Sequence, residues 1–239
     1  MHLAAYLHYP EILDTLLDNV PGSLPARQVF SHSSLLIPAI KGSIERGPVF
    51  DKITRHGREW WPRQRRCLDI LLSRGAEAHL HWMPSGSIGN GATALFIAIG
   101  LNHPAAARHL LLQGAKSDIE TICALEEGHT LSRPLHRSIT HWNKESFMLL
   151  LQHGANPQAK HVDEDGREQT YVYECALAGH ANTFIVSQLL ARDVKVDETP
   201  LGYETAFACA VRKKCFPLAT CCSMVRTHVR NSQPVRCSN

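Results

Sequence analysis

Hydrophobic residues along this chain fall in short stripes that all end the same way. In "LDILLSRGAE" (68–77), "RHLLLQGAKSD" (108–118) and "FMLLLQHGANPQ" (147–158), a leucine cluster is followed at a fixed offset by Gly-Ala. Gly75, Gly114 and Gly154 stand 39 and 40 residues apart, and Asp193 in "LLARDVKVD" falls 39 further on. A second landmark keeps step, because "TALFIAI" and "RPLHRSI" each begin 21 residues before Gly114 and Gly154 respectively. Self-similarity at a fixed period is the mark of a repeat array. Each unit is predicted as two short helices, with length varying mainly between a glycine and the next repeat.

The stripe at the end of each second helix is more than one helix pair can bury alone, so neighbouring repeats are expected to stack. Small residues (Ala98, Ser138, Ala176, Ala210) fall where the first helix must approach its neighbour closely. The glycine after the leucines suits a left-handed helix C-cap, where a Cβ is strained. Asp193 is among the few other residue types that tolerate that conformation. "LAAYLHYPEILDTLLDN" (3–19) supplies a further helix pair, and "TAFACAVRKKCFPLATCC" (205–222) reads as the opening of a last, decaying repeat. In the second unit "LLIPAIKGS" (35–43) is a first helix and "CLDILLSRGAE" (67–77) the end of a second, separated by an insertion near 43–65. Asp165-Gly166 in "KHVDEDGREQT" (160–170) predicts a hairpin tip between repeats.

"RPLHRSITHWNKESFMLLLQHGAN" (133–156), "TALFIAIGLNHPAAARHLLLQGAK" (93–116) and "TYVYECALAGHANTFIVSQLLARDVKVD" (170–197) together resemble the ankyrin repeat. That pattern runs T-P-L-H-x-A-A-x-x-G-H and then V-x-x-L-L-x-x-G-A. The resemblance implies an all-α, ankyrin-type solenoid of stacked helix-turn-helix repeats with β-hairpin or loop connections. The array is expected over residues 1–222, as about five to six repeats, followed by a disordered tail over 223–239. It also implies that His136, on the recurring "TPLH" histidine, braces adjacent loops by hydrogen bonds.

Composition adds exclusions. Hydrophobic residues make up 44% and charged residues 20% of 239, as in an ordinary folded domain. A net charge of +3 does not favour nucleic acid. The longest apolar window, 94–112, is interrupted by Asn102, His103, Pro104, Arg108 and His109, so no membrane span is expected. Eight scattered cysteines without a secretory leader read as reduced thiols, which points to a cytoplasmic or nuclear protein.

Fifteen histidines raise the question of metal, yet no H-E-x-x-H is present, and "HLHW" (79–82) lacks partners. Cys209, Cys215, Cys221 and Cys222 with His228 do not have the C-x(2–4)-C spacing of structural zinc. There is no G-x-S-x-G, and "SGSIGNGAT" (85–93) lacks the Lys-Ser/Thr of a phosphate loop. A Cys175–His180–Asp197 site could be drawn on paper, as could many others. The reading is non-enzymatic, with no cofactor. The basic stretch "KITRHGREWWPRQRRCLDILL" (52–72) reads as a solvated face over an apolar seam of Trp61, Leu68 and Leu72, with a nuclear-localisation or acidic-partner patch as its alternative.

A solenoid offers an extended surface instead of a reaction centre. The resemblance places partner contacts at loop tips and on exposed first-helix positions. These are Asn102 and His103; Ser132, Trp142 and Asn143; Gln169, Tyr171 and His180; and Tyr203 and Lys214. Trp142, Tyr171 and Tyr203 are the expected anchors. The expected protein is a monomeric protein-protein interaction module or scaffold, with a nuclear regulatory cofactor as the alternative and a metal- or thiol-dependent enzyme third.

Overall fold

The computed structural model describes residues 1–19, 35–42, 60–74, 76, 91–125, 128–162, 168–178, 183–195 and 204–223, with backbone only at 60, 124, 125 and 128–130. Contacts group the chain into two units, Met1–His129 and Thr130–Asn239.

The first unit is built of helix pairs. They are α1 (His2–Tyr6) with α2 (Pro10–Asp18), α3 (Leu36–Lys41) with α4 (Trp60–Ser73), and α5 (Ala94–Gly100) with α6 (Pro104–Leu112). A 3-10 turn, Ala115–Glu120, follows. The first helices pack in chain order, α1 on α3 and α3 on α5, while α2 packs on α4. That close approach is why Gly42 ends α3: a Cβ there would overlap the backbone carbonyl of Tyr6.

The second unit repeats the plan. Its pairs are α7 (Pro134–Thr140) with α8 (Lys144–Gln152), α9 (Tyr171–Leu177) with α10 (Thr183–Leu190), and α11 (Ala206–Arg212) with a helix α12 over 216–223. Here α9 packs against both α7 and α11. The stretch 205–222, expected as the opening of a last repeat, contributes a helix at each position of the pair. Leu218 and Cys222 are buried and complete the α12 seam. Two-stranded sheets are formed by β1 (Cys123–Leu125) with β2 (Gly128–Ser132), and by β3 (Lys160–Val162) with β4 (Glu168–Thr170). In the latter, Lys160 faces Thr170, His161 faces Gln169 and Val162 faces Glu168 in antiparallel register. Asp165-Gly166 lies between these strands but outside the described residues.

The landmarks have physical causes. Thr93, Thr170 and Thr205 are N-caps, each hydroxyl accepting the backbone N–H three residues on at 3.1–3.2 Å. In α7 the Thr is replaced by Arg133, whose side chain makes no cap bond, and Pro134 starts the helix without needing one. Ala98, Ser138, Ala176 and Ala210 are all fully buried on their first helices. Gly114 and Gly154 adopt φ of 111° and 96°, and Asp193 adopts 56°, all left-handed as the C-cap argument requires. Gly75 lies outside the described residues.

Helix α4 turns its basic residues outward, with Arg63, Arg65 and Arg66 exposed. Its seam is Gln64, Cys67, Leu68 and Leu71, all fully buried. Leu68 is buried as expected, whereas Leu72 is only half-buried and Leu71 takes its place in the seam. The polar member, Gln64, takes the position next to Trp61, whose ring stands edge-on to His103 and His109 at 5.4 and 6.2 Å.

Candidate functional site

The recurring feature of both units is the turn between the two helices of a repeat. One residue adopts a left-handed conformation, the next stands at the N-cap position of the second helix, and the one after starts it. The left-handed residues are His8, Asn102, Trp142 and Lys214, with φ of 54–58°. The residues after them are Tyr9, His103, Asn143 and Cys215.

At the last three of these turns the two neighbouring positions have opposite fates, whereas at the first His8 is buried and Tyr9 exposed. Asn102 and Lys214 are exposed and Trp142 is half-buried, so each offers surface to solvent. His103 and Asn143, one residue on, are 5% and 4% exposed. Asn143 Oδ1 accepts the Ser146 N–H at 3.0 Å, and His103 Nδ1 accepts the Ala106 N–H at 3.3 Å. Both are helix caps, satisfying donors that the first turn of a helix leaves open. The expectation that His103 and Asn143 meet a partner is corrected on that ground.

Three further expected contact residues are buried as well. Tyr171, at 1% exposure, is core at the start of α9, and Gln169 is 3% exposed on β4. Ser132, at 8%, meets His136 Nδ1 through its hydroxyl at 2.8 Å. The burial of Tyr171 removes one of the three aromatic anchors. His180 and Tyr203 lie outside the described residues. Of the expected surface, Asn102, Trp142 and Lys214 are placed where a partner can reach them.

Burial also shows surface that the sequence reading missed. Leu131 on β2 and Val162 on β3 are 41% and 37% exposed, and Leu112, the third leucine of its run, is 69% exposed. Strand β3 alternates outward, inward, outward over Lys160, His161 and Val162. Three residues of alternation are too short a signal to read against helical periodicity.

The first unit holds a buried polar chain at its turns. His8 Nε2–H donates to the Ala39 carbonyl at 2.8 Å, and the Gln64 amide donates to the same carbonyl at 2.8 Å. His103 Nε2–H donates to Gln64 Oε1 at 2.8 Å. Since His103 Nδ1 is the cap acceptor, the neutral tautomer with the proton on Nε2 satisfies every bond. Burial, followed by the nearby His8 imidazole, pushes the His103 pKa down to about 4.

The thiols are placed as core residues. Cys175 is buried in α9 and pushed up to about 12, first by burial and then by Glu174 and Cys222. Cys67 is likewise pushed up to about 12 by burial and Glu11. Neither carries thiolate at neutral pH, which a cysteine nucleophile requires. His180 and Asp197 of the paper triad, and His228, lie outside the described residues. "HLHW" does too. No helix among the described residues is long and apolar enough to cross a membrane.

No family model and no curated protein matches the chain. Among solved structures it is similar to the human ASB11 ankyrin repeat domain. The match has 18% identity and a TM-score of 0.62, and covers 100% of this chain and 86% of that one. At that identity the likeness concerns the fold, which is that of an ankyrin-repeat array.

Proposed function

We propose that this chain, on its ankyrin-repeat fold, is a non-catalytic module that binds a protein partner through the outward tips of its repeats. The observation that carries the reading is the pairing of roles at three of the turns. One backbone geometry presents an amide at Asn102, an indole at Trp142 and an ammonium at Lys214, while the next residue is a cap at His103 and Asn143 and is buried at Cys215. Side chains of such different chemistry at these three solvent-facing turn positions are what a recognition surface needs. In the second unit, Trp142 together with the exposed Leu131 and Val162 adds the apolar and aromatic character of interface hot spots.

The test replaces the tip residues with glycine, which keeps the left-handed turn. Capture of partners from cell extract is compared between the parent and Asn102→Gly/Trp142→Gly/Lys214→Gly. A hot-spot tryptophan contributes roughly 2 kcal/mol, about a thirtyfold loss in affinity. A captured protein that binds both chains equally would exclude the tips as the recognition surface.

The alternative, a nuclear regulatory cofactor using the same surface, rests on the exposed Arg63, Arg65 and Arg66. Arg65 pairs with Asp69 at 3.8 Å and Arg66 with Glu11 at 3.1 Å. These exposed pairs leave the basic face only partly available, so the reading ranks second.

A further inference from the structure

In the second unit, three side chains able to ligate a metal converge from three elements. They are His136 on α7, His161 on β3 and Glu174 on α9, and one nitrogen or oxygen from each lies within 4.8 Å of the others. The cluster is inside the fold: the His136 side chain is 8% exposed, that of Glu174 18%, and His161 is buried.

A hydrogen bond at its edge positions His136. The Ser132 hydroxyl lies 2.8 Å from His136 Nδ1. The 2.8 Å contact at Nδ1 fixes the orientation of the ring and turns Nε2 towards Glu174. That Nε2 is buried and makes no hydrogen bond, and it faces the Glu174 carboxylate at 3.9 Å. A buried imidazole nitrogen that faces a carboxylate with no hydrogen bond between them leaves room for a cation to bridge the two.

We propose that His136, His161 and Glu174 bind a divalent transition-metal ion of the zinc class. Two imidazoles and one carboxylate form a set that zinc accepts, with a fourth position left for water, whereas calcium and magnesium take oxygen ligands. Zinc bonds of about 2.0–2.2 Å set tetrahedral ligand atoms about 3.4 Å apart. The His136–Glu174 gap must then close by about 0.5 Å, and the widest gap in the cluster by about 1.4 Å at most. The Ser132 contact to Nδ1 is the outer partner that metal-bound histidines have.

Binding carries a structural consequence. The His136 and His161 rings stack at 3.8 Å with 13° between their planes. An ion lies in the plane of each ring that ligates it, so the His161 ring turns out of the stack when the site fills. The ion then joins the first helix of one repeat, the hairpin after it and the first helix of the next.

The experiment uses the full chain, stripped with chelator and kept reduced, titrated with Zn2+ by calorimetry and with Co2+ by visible absorption. One ion per chain and four-coordinate cobalt bands are expected. His161→Phe keeps an aromatic ring in the stack without a ligand atom, and Glu174→Gln keeps size and hydrogen bonding without charge. Each is expected to weaken binding at least tenfold with an unchanged far-ultraviolet spectrum. Histidine resonances of the unmutated chain give a second readout that needs no variant, with those of His136 and His161 shifting together at one equivalent of Zn2+. Absence of stoichiometric binding tighter than about 100 µM overturns the proposal. So does binding that survives both substitutions, which would place the ion on other thiols or histidines.

Discussion

Lowering the pH from 7.5 to 5 perturbs His103 more than its surroundings can absorb. In the fold its Nδ1 accepts the Ala106 N–H and its Nε2–H donates to Gln64, so an added proton at Nδ1 sets donor against donor. The folded pKa, about 4, lies below the value of about 6.5 expected in the unfolded chain. The unfolded state therefore binds more protons between these values, and stability falls as the pH falls. The contribution is complete above about pH 6.5, is lost on the way down to about 4, and is flat below that. At pH 5 the ratio of binding polynomials is about 30, which is about 2 kcal/mol; residual water at the site reduces this to about 1–2 kcal/mol. The assay is urea unfolding at both pH values, with His103→Asn as the reference. Asn keeps a cap acceptor, as Asn143 does in α8, and does not titrate. The parent is expected to lose about 1–2 kcal/mol more than the variant over this range. Parallel pH profiles within about 0.5 kcal/mol, or an NMR titration of His103 near 6.5, would refute the argument.

Three further outcomes follow from packing. Gly42→Ala forces a methyl into the Tyr6 carbonyl and is expected to cost about 2–3 kcal/mol in chemical unfolding, more than any helix-propensity gain. Lys214→Gly relieves an exposed left-handed residue and is expected to stabilise by about 0.5–1 kcal/mol; a lower thermal midpoint would contradict this. Leu111→Ala, at a fully buried position, is expected to cost about 3 kcal/mol, while Leu112→Ala, at 69% exposure, changes stability by less than about 0.5 kcal/mol. Equal effects would mean that the α6 stripe is read in the wrong register.

The fold was legible because its rules are local and repeated. Leucines before Gly114 and Gly154, a Thr cap before α5 and α9, and small residues at Ala98 and Ser138 each act within one repeat, so they recur at a readable pitch. The site was less legible because surface and core alternate residue by residue at the turns. Asn102 and His103 are adjacent and polar, and nothing in their composition shows that one faces water while the other caps a helix. Tyr171 illustrates a second limit: an aromatic side chain at a repeat boundary suits an anchor and a core equally, and its burial depends on contacts supplied by other elements. The buried chain of His8, Gln64 and His103 joins residues 39 or more apart in sequence, through a Gln on a helix face that otherwise reads as apolar.

That polar chain changes how the first unit should be understood. An apolar side chain in place of Gln64 would leave His103 Nε2–H without an acceptor and remove a donor from the Ala39 and Ile40 carbonyls, at a cost of about 1–3 kcal/mol for an unmet buried group. Apolar packing also opposes a slide of α4 by one position, which would bring Arg65 and Asp69 to the places of Gln64 and Leu68. The amide cannot slide, because its bonds to Ala39 and His103 are met in one register only. The amide and the apolar seam thus favour the same register, with Leu71 in the core and Arg63, Arg65 and Arg66 in solvent. In this unit the outward basic residues of α4 and the cap at His103 are tied to one another through this buried amide.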